Sequence, residues 1–283
     1  MKIALATCRR LPEPDHDERP LLAALRAEGA DARAAAWDDP SVDWAGFDLC
    51  VIRSTWNYVH HLPEFLAWAK KVSRLALLVN PLSVVRWNSD KSYFKDLAKW
   101  GVRTVPTIYY PRGSGRALTR ALAGRGWSDI VIKPRVGASS FLTKRFNGTL
   151  KGAQEFLRRA SAGRDMMIQP YVPSVETRGE RSLVYIAGKL THSVRKNPRL
   201  SGEKECISAR RPIDPAERRF ALRVMSRLPK DLLYARVDVA RAQDGGLMLM
   251  ELELIEPSLF LVQHRPALRL FARACALRAR APR

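Results

Sequence analysis

The sequence predicts an α/β protein in which a small parallel-sheet domain precedes lobes of mixed α+β structure. Residues 2–6 form a short apolar run, residues 19–28 have helical spacing closed by Gly29, and residues 47–52 form a second apolar run. This strand, helix, strand order predicts a parallel sheet with functional groups beyond the carboxyl ends of its strands. The chain of 283 residues, 46% of them hydrophobic, has enough apolar surface for a substantial core.

The charge balance is strongly basic, with 49 Lys and Arg residues against 28 Asp and Glu residues and a net charge of +21. Such a field attracts anions, so nucleotides, an acidic peptide or protein and nucleic acid are all candidate partners. The arginines are spread along the chain without an RNA-binding or helix-turn-helix signature, so we expect no nucleic-acid partner. A solvated, arginine-rich surface explains the same composition.

Targeting and redox signals are absent from the sequence. No apolar run approaches the roughly 18 residues of a membrane span, and residues 8–10 interrupt the apolar start too soon for a signal peptide. We therefore expect a cytoplasmic protein without membrane contact. The 4 cysteines are far apart and form no CxxC pair, so neither a disulfide framework nor a zinc site is predicted.

Three carboxylates are predicted on one face of a β-hairpin. Asp238 lies on a short β-branched run, Glu251 and Glu253 lie on the next run, and the turn signal at residues 243–246 joins them. Because strand side chains repeat every second residue, the three acids share a wall. Hard oxygen ligands without histidine or cysteine suit Mg²⁺ acting together with substrate phosphates. The alternative is a strand pair whose acids face solvent or arginines.

The turn at residues 53–58 follows the second predicted strand of the parallel domain. It is positive, rich in hydroxyls and carries two aromatic residues. Arg53 would act there as a bidentate clamp for a carboxylate-bearing substrate. The alternative is a helix start, in which Ser54, Thr55 or Asn57 caps the following helix.

Two lysines and a small-residue loop indicate phosphate binding. Lys91 is predicted in the first turn of a helix, where a cation opposes the helix dipole unless it meets an anion. Lys133 ends the apolar strand 129–134, and the loop that follows it, with Ser139 and Ser140, can lay backbone amides on phosphates. A lysine at the edge of a strand is the ordinary alternative for Lys133.

A broken strand and a hairpin complete the predicted site. Residues 166–172 are apolar but contain Pro170, which leaves exposed amide edges suited to an adenine base. Residues 180–186 and 189–195 predict a hairpin. The basic, turn-rich segment 196–211 after it is a candidate mobile lid.

In this order the motifs resemble the ATP-grasp superfamily of carboxylate ligases, and they cover most of the chain. They comprise Lys91, Lys133-Pro134, Ser139-Ser140, Gln169 to Val172, Glu180, Arg236 to Asp238, and Glu251 to Glu253. Residues 37–40, 53–56, 86–88, 179–182 and 253–260 further resemble the small ATP-grasp enzymes typified by the D-cycloserine-forming O-ureido-serine cyclo-ligase.

The resemblance implies an ATP-grasp fold. An N-terminal Rossmann-like pre-ATP-grasp domain would span residues 1–85, a central lobe residues 86–170, and a C-terminal lobe with the metal site residues 171–283. ATP would bind between the last two.

The resemblance also assigns roles to individual residues. ATP would be held at its phosphates, its adenine and its ribose by Lys91, Lys133, Ser139, Ser140, Gln169, Tyr171, Val172 and Glu180. Two Mg²⁺ ions would be bound by Asp238, Glu251 and Glu253. Arg236 would steady the transferring phosphoryl group, with Lys133 and Arg53 as the other catalytic residues.

The implied function is ATP- and Mg²⁺-dependent ligation of an amino-acid-like small molecule. Its carboxylate would become an acyl phosphate, which a nitrogen nucleophile attacks, with cyclisation as in D-cycloserine formation as one outcome. One alternative is a ligase acting on a peptide or protein, for which the charge of +21 supplies a docking surface. A second alternative is a non-catalytic anion or nucleic-acid binder on the same scaffold.

The chain departs from the family pattern at three points. Family members commonly carry Asp where this chain has Asn57, and a glycine pair in the lid where residues 196–211 have only Gly202. Glu253 replaces a usual metal-ligand amide, a replacement typical of the subgroup. The ATP site is therefore better supported by the sequence than the acceptor site.

Overall fold

The first of three four-stranded sheets is parallel throughout and lies in the first 79 residues. The computed structural model describes residues 1–148, 150–197 and 206–281 of the chain. Strand order in this sheet is β2-β1-β3-β4. Its elements are β1 (Lys2–Thr7), α1 (Glu18–Ala27), β2 (Asp31–Ala36), β3 (Leu49–Ser54), α2 (Leu62–Leu75) and β4 (Leu77–Val79). The predicted parallel sheet is confirmed, with β2 and β4 added to the two predicted strands.

The second sheet is antiparallel, with the order β5-β8-β6-β7. It is preceded by two short helices, and its elements are α3 (Leu82–Asn88), α4 (Tyr93–Lys99), β5 (Ile108–Tyr110), α5 (Leu118–Leu122), β6 (Asp129–Pro134), β7 (Lys144–Asn147), α6 (Leu150–Ser161) and β8 (Met166–Pro170). The bounds of β6 are those predicted. The predicted position of Lys91 in a first helical turn is wrong, because α4 begins two residues later, after Ser92.

The third sheet is antiparallel, with the order β10-β9-β11-β12. Both predicted hairpins belong to it. Its elements are α7 (Ser174–Thr177), β9 (Glu180–Ile186), β10 (Lys189–Lys196), α8 (Pro215–Met225), β11 (Tyr234–Arg241), β12 (Leu247–Glu253) and α9 (Arg265–Arg280).

The predicted lid falls largely outside the described residues, since 198–205, including Gly202, are not described. The described parts of segment 196–211 run beside β10. Asn197 N donates to Cys206 O at 3.1 Å, and Arg211 N donates to Ser193 O at 2.8 Å.

The C-terminal helix α9 covers one face of the N-terminal sheet. Its Phe271 and Cys275 are fully buried and share one hydrophobic cluster with Ile3, Leu5 and Leu21. The helix α9 is therefore amphipathic and packs on the body of the protein with its apolar face. No described helix is long and apolar enough to cross a membrane.

Asn80, directly after β4, ties the N-terminal sheet to the third sheet. Its side chain is fully buried and makes three hydrogen bonds to backbone groups at the ends of two strands. Its Nδ2 donates to Tyr234 O at 2.9 Å and to Leu254 O at 2.8 Å, and its Oδ1 accepts from Leu233 N at 2.8 Å. One amide thus fixes the start of β11 against the end of β12.

Asn88, the last residue of α3, makes the same kind of contact with the backbone at the end of β12. Its Nδ2 donates to Leu252 O at 2.9 Å, and its Oδ1 accepts from Leu254 N at 2.8 Å. The hydroxyl of Tyr93 accepts from Leu252 N at 3.1 Å. Side chains from before the second sheet therefore set the position of the strand that carries the predicted metal ligands.

Replacing Asn80 by alanine should lower the free energy of unfolding by about 3 kcal/mol or more, since it leaves buried backbone donors and acceptors without partners. Urea unfolding followed by circular dichroism measures the change. Asn147→Ala on β7, where the side chain is exposed, is the matched control and should change stability by no more than about 0.5 kcal/mol. Equal stability of the two variants would show that Asn80 does not hold the strands together.

Candidate active site

A cleft between the second and third sheets, closed at one end by the N-terminal domain, brings most of the predicted site residues together. Those that line it are Lys91, Lys133, Ser139, Ser140, Gln169, Tyr171, Val172, Glu180, Arg236, Glu251 and Glu253. Two predicted residues, Asp238 and Arg53, do not line it. Asp238 is fully buried against Arg236, whereas Arg53 lies elsewhere.

The predicted acidic wall forms through the register of β11 and β12. Asp238 is paired with Glu251, and Arg236 is paired with Glu253. Directly opposed residues of antiparallel strands have Cβ atoms about 4.5–5.5 Å apart, so these four side chains are neighbours on one face. Three carboxylates and one guanidinium therefore share a surface on which Asp238 is fully buried, whereas the side chains of Glu251 and Glu253 are 28% and 26% exposed.

Asp238 is held as an anion by two cations. Its Oδ1 accepts from Arg236 Nε at 3.0 Å, and its Oδ2 lies 2.9 Å from Arg236 Nη2 and 2.6 Å from Lys196 Nζ. Burial alone would raise the pKa of Asp238, but Arg236 and Lys196 hold that pKa well below its usual range.

The two glutamates of β12 differ in their partners. Glu251 Oε1 lies 3.0 Å from Lys91 Nζ. Burial would raise the pKa of Glu251, but Lys91 and Lys133 lower it to about 2. Glu253 pairs with Arg236 Nη2, yet burial, reinforced by Glu251 and Asp238, outweighs that cation and raises the pKa of Glu253 to about 8.

Lys91 and Lys133 face this wall from the second sheet. Lys91 Nζ also donates to Gly137 O at 2.5 Å, and its backbone N donates to Arg135 O at 3.0 Å. Its proximity to Glu251 overcomes burial and raises the pKa of Lys91. Burial lowers the pKa of Lys133, which has no ion-pair partner within the described ranges of the chain. Lys133 is therefore well placed to meet an anion from outside.

The loop after β6 holds a strained backbone over the cleft. Ser139, Ser140 and Leu142 have φ values of 48°, 56° and 48°, in the left-handed region that residues other than glycine seldom adopt. Ser139 Oγ donates to Glu13 Oε1 at 2.9 Å, which ties the loop to the N-terminal domain. Such strain is typical of loops that are shaped for a ligand.

The predicted adenine-binding segment, residues 169–172, comprises the end of β8 and the two residues after it, and it lines the cleft. Gln169 is buried, and its Nε2 donates to Thr107 Oγ1 at 2.9 Å. The guanidinium carbon of Arg145 lies 3.4 Å from the ring centroid of Tyr171, and Asp129 holds that guanidinium with bonds of 2.9 and 2.6 Å. The polar side chains of this segment are thus fixed, and its orientation is set before any ligand binds.

Glu180 shares a cation with Asp238. Its Oε1 lies 2.7 Å from Lys196 Nζ, because Lys196 ends β10 directly opposite Glu180 on β9. Burial raises the pKa of Glu180, and Lys196 opposes that shift. Lys196 is the first residue of the predicted lid segment, but continuing the register of the predicted hairpin by one residue pairs it with Glu180.

Arg53 is not a cleft residue, which corrects its predicted role as a substrate clamp. Its side chain is only 2% exposed and lies 4.0 Å from Asp17, with its guanidinium carbon 5.8 Å from the Tyr234 ring and 5.9 Å from the Phe271 ring. The capped-helix alternative is also wrong, because α2 begins at Leu62 without a side-chain cap.

One group of residues, at the N-terminal end of the cleft, is not predicted as a unit by the sequence. Trp56, Tyr58 and Glu256 line it together with Lys91. Trp56 Nε1 donates to the backbone O of Glu256 at 3.0 Å, across 200 residues of sequence. Both aromatic residues had been placed in a substrate-binding turn, but nothing local indicated that Glu256 would join them.

The donor set fits Mg²⁺ held jointly with phosphates. No group of three or more His, Cys, Asp or Glu side chains is arranged to hold a metal among the residues that the structure describes. Glu251 and Glu253 nevertheless present oxygen donors two residues apart on one strand face. Mg²⁺ usually takes one or two carboxylates together with substrate phosphates, rather than a protein cage. The two carboxylates are therefore suitable ligands for Mg²⁺ that also binds phosphate oxygens.

Most of the chain is similar to proteins of cycloserine biosynthesis. Residues 3–80 match the family model described as D-cycloserine synthetase DcsG, N-terminal domain. The chain is 34% identical over 281 residues to cycloserine biosynthesis protein DcsG of Streptomyces lavendulae, covering 93% of this chain and 94% of that protein. A crystal structure of D-cycloserine synthetase DcsG superposes with a TM-score of 0.89 at 33% identity, covering 99% and 100% of the two chains.

More distant structures share the fold. An ATP-grasp RimK domain protein of Sphaerobacter thermophilus is 19% identical with a TM-score of 0.69, over 97% of this chain and 98% of that one. The ATP-grasp ligase PsnB, complexed with precursor peptide PsnA2 and AMPPNP, is 13% identical with a TM-score of 0.63, over 99% and 97%. The predicted ATP-grasp fold is therefore confirmed.

Without nucleotide, Glu253→Gln should stabilise the protein relative to wild type more at pH about 8 than at pH about 5. Burial raises the pKa of Glu253 to about 8, above its ordinary 4.5. The folded protein therefore binds an extra proton between these values, and this contribution to stability is lost as pH rises through the window. Thermal unfolding of both proteins at the two pH values measures the effect.

Glu155→Gln is the matched control for this pH dependence. Arg158 and Arg159 lower the pKa of Glu155, which is half-exposed on α6, to about 2. Its carboxylate is therefore charged throughout the tested window, and its variant should differ from wild type equally at both pH values. A Glu253 variant that behaves in the same way would contradict the pKa assignment.

Proposed function

The chain belongs to the DcsG family of ATP-grasp ligases, and on that premise we propose that it activates an amino-acid-like carboxylate as an acyl phosphate. A nitrogen nucleophile of the same molecule then displaces phosphate and closes a ring. The observation that carries the proposal is the pairing of two cleft lysines, Lys91 and Lys133, with a carboxylate wall that contains Arg236. The carboxylates suit the Mg²⁺ of a bound nucleotide, and the lysines and Arg236 suit its phosphates and a small anionic substrate.

The nucleotide is proposed to lie along the cleft from β8 to β12. Its adenine would contact Gln169, Tyr171 and Val172, with the ribose near Glu180. Its phosphates would meet Lys91, Lys133 and the backbone of the Ser139-Ser140 loop. The preset orientation of the adenine segment favours this placement, since ordered side chains lose little entropy on binding.

Two Mg²⁺ ions would be held by Glu251, Glu253 and Asp238, and they would neutralise charge that develops on the phosphates. Asp238 can contribute only after Lys196 withdraws, because Lys196 and Arg236 occupy its oxygens in the free protein. Arg236, beside Glu253, is positioned to stabilise the equatorial oxygens of the transferring phosphoryl group.

The chemistry needs no protein nucleophile. A substrate carboxylate oxygen attacks the γ-phosphorus, the bond to the β-phosphate oxygen breaks, and ADP leaves. The nucleophilic nitrogen then attacks the acyl carbon and loses its proton, and inorganic phosphate leaves with the former carboxylate oxygen and takes up that proton. The protein contributes alignment of the two reactants and fixed cations in a water-poor cleft.

A small molecule is favoured over a peptide as substrate. The relative that covers 93% of the chain is a cycloserine biosynthesis protein, whereas the neighbour solved with a precursor peptide is only 13% identical and supports the fold alone. The charge of +21 remains compatible with an acidic peptide, so the assay includes one.

The proposal is tested by release of ADP and phosphate from Mg-ATP with a panel of D- and L-amino acids, O-ureido-D-serine, O-ureido-L-serine and short acidic peptides. We expect release that depends on an amino-acid-like carboxylate. Release with acidic peptides alone would identify a peptide ligase instead, and ADP formation with none of the carboxylates would contradict the proposal.

Lys133→Ala should lower kcat/KM in this assay by at least about 100-fold, as expected for loss of a cation that meets the transferring phosphate. Lys144→Ala is the matched control, because Lys144 lies on the neighbouring strand β7 with an exposed side chain. We expect its kcat/KM to stay within about twofold of wild type. Equal activity of both variants would remove Lys133 from the site.

A further inference from the structure

We propose that Glu256, backed by Trp56 and Tyr58, forms the subsite that binds the α-ammonium group of the substrate. The inference rests on the proposed function, which assigns an amino-acid-like carboxylate to this cleft without saying what recognises its amino group. An ammonium removed from water needs an opposite charge close by, since an unpaired buried charge is costly.

The other carboxylates on the β9 and β12 side of the cleft already have cationic partners. Glu180 pairs with Lys196, Glu251 pairs with Lys91, and Glu253 pairs with Arg236. Within the described part of the chain, Glu256 has no such ion pair. Its side chain accepts from the Tyr58 hydroxyl, a neutral donor; burial raises the pKa of Glu256 to about 7, and the charge of Lys91 opposes that shift. Glu256 can therefore accept a cation without breaking an ion pair.

The surroundings of Glu256 suit an organic cation. Trp56 and Tyr58 line the same end of the cleft, and aromatic rings attract ammonium groups. The bond of 3.0 Å from Trp56 Nε1 to the backbone O of Glu256 fixes the two walls relative to each other. A preset carboxylate beside aromatic rings is the arrangement that an amino acid requires and that a plain carboxylic acid does not.

The subsite lies within reach of the reacting carboxylate. Glu256 follows Glu253 by three residues, a span of at most about 11 Å along the chain. Tyr58, Glu251, Glu253 and Glu256 all line the same cleft, so the ring and the three acids face one space. A zwitterion can thus face Glu256 with its ammonium and Arg236 with its carboxylate.

Asn57, the position where relatives commonly carry an acid, does not compete for this role. Trp37 Nε1 donates to Asn57 Oδ1 at 2.7 Å, and Asn57 Nδ2 donates to Asp38 Oδ2 at 2.8 Å. An aspartate at position 57 would repel Asp38, so an amide is needed here. Asn57 does not line the cleft.

The test measures binding of two probes to the protein saturated with Mg-AMPPNP, by calorimetry. The probes are O-ureido-D-serine and its des-amino analogue, 3-ureidooxypropanoate, which differ only in the ammonium group. Wild type should bind the amino compound at least about tenfold more tightly, the range expected for one charged hydrogen bond. Glu256→Gln, which keeps the shape of the side chain, should reduce that ratio to below about threefold.

Glu13→Gln is the control, and it also tests the other candidate for binding the ammonium group. Glu13 is a cleft carboxylate that accepts a hydrogen bond from Ser139. The variant should leave the ratio of the two affinities unchanged. The proposal is overturned if Glu13→Gln removes the ratio and Glu256→Gln does not. It is also overturned if wild type binds both probes equally or binds neither, or if Glu256→Gln lowers turnover with the ratio intact. Tight, selective binding without ADP release would refute the proposed function and leave this subsite standing.

Discussion

Buried carboxylates on the hairpin of β11 and β12 are the constraint on which the site depends. Asp238 is fully buried, and an unpaired ion there would cost several kcal/mol. The compensating cations come from three separate stretches of chain: Arg236 on the hairpin itself, Lys196 at the end of β10, and Lys91 before α4. The buried carboxylates are thus compensated only when these three stretches of chain are assembled around them. Bound Mg²⁺ would add positive charge beside the carboxylates, and bound phosphates would add negative charge beside the lysines.

Polar side chains from the N-terminal half hold this hairpin in place. The amides of Asn80 and Asn88 occupy backbone groups at the ends of both strands. Asp17 accepts from three backbone N–H groups after β12, at 3.2, 2.8 and 3.2 Å, and Arg53 lies beside it. Burial raises the pKa of Asp17, and Arg53 opposes that shift. Arg53 therefore lies behind the segment 259–262, which Asp17 holds a few residues beyond Glu256.

Local patterns predicted what depends on local geometry. The strand β6 and the register that places Asp238 against Glu251 follow from side-chain alternation and turn residues. Residues 31–36 are rich in alanine, which is depleted in strands, and contain no β-branched or aromatic residue, so the sequence did not predict β2. The approach of Trp56 to Glu256 spans 200 residues and depends on how the lobes pack. The resemblance to ATP-grasp ligases named most of the residues that line the cleft, whereas the contact of Trp56 with Glu256 required the structure.

The central claim, activation of a substrate carboxylate as an acyl phosphate, is tested most directly by oxygen transfer. O-Ureido-D-serine labelled with ¹⁸O in both carboxylate oxygens would be turned over with unlabelled Mg-ATP, and the released phosphate analysed by mass spectrometry. The account predicts one ¹⁸O atom in each phosphate, because the carboxylate oxygen that attacks the γ-phosphorus leaves with it. Product formation with unlabelled phosphate would contradict the account, since the carboxylate would then never have been phosphorylated.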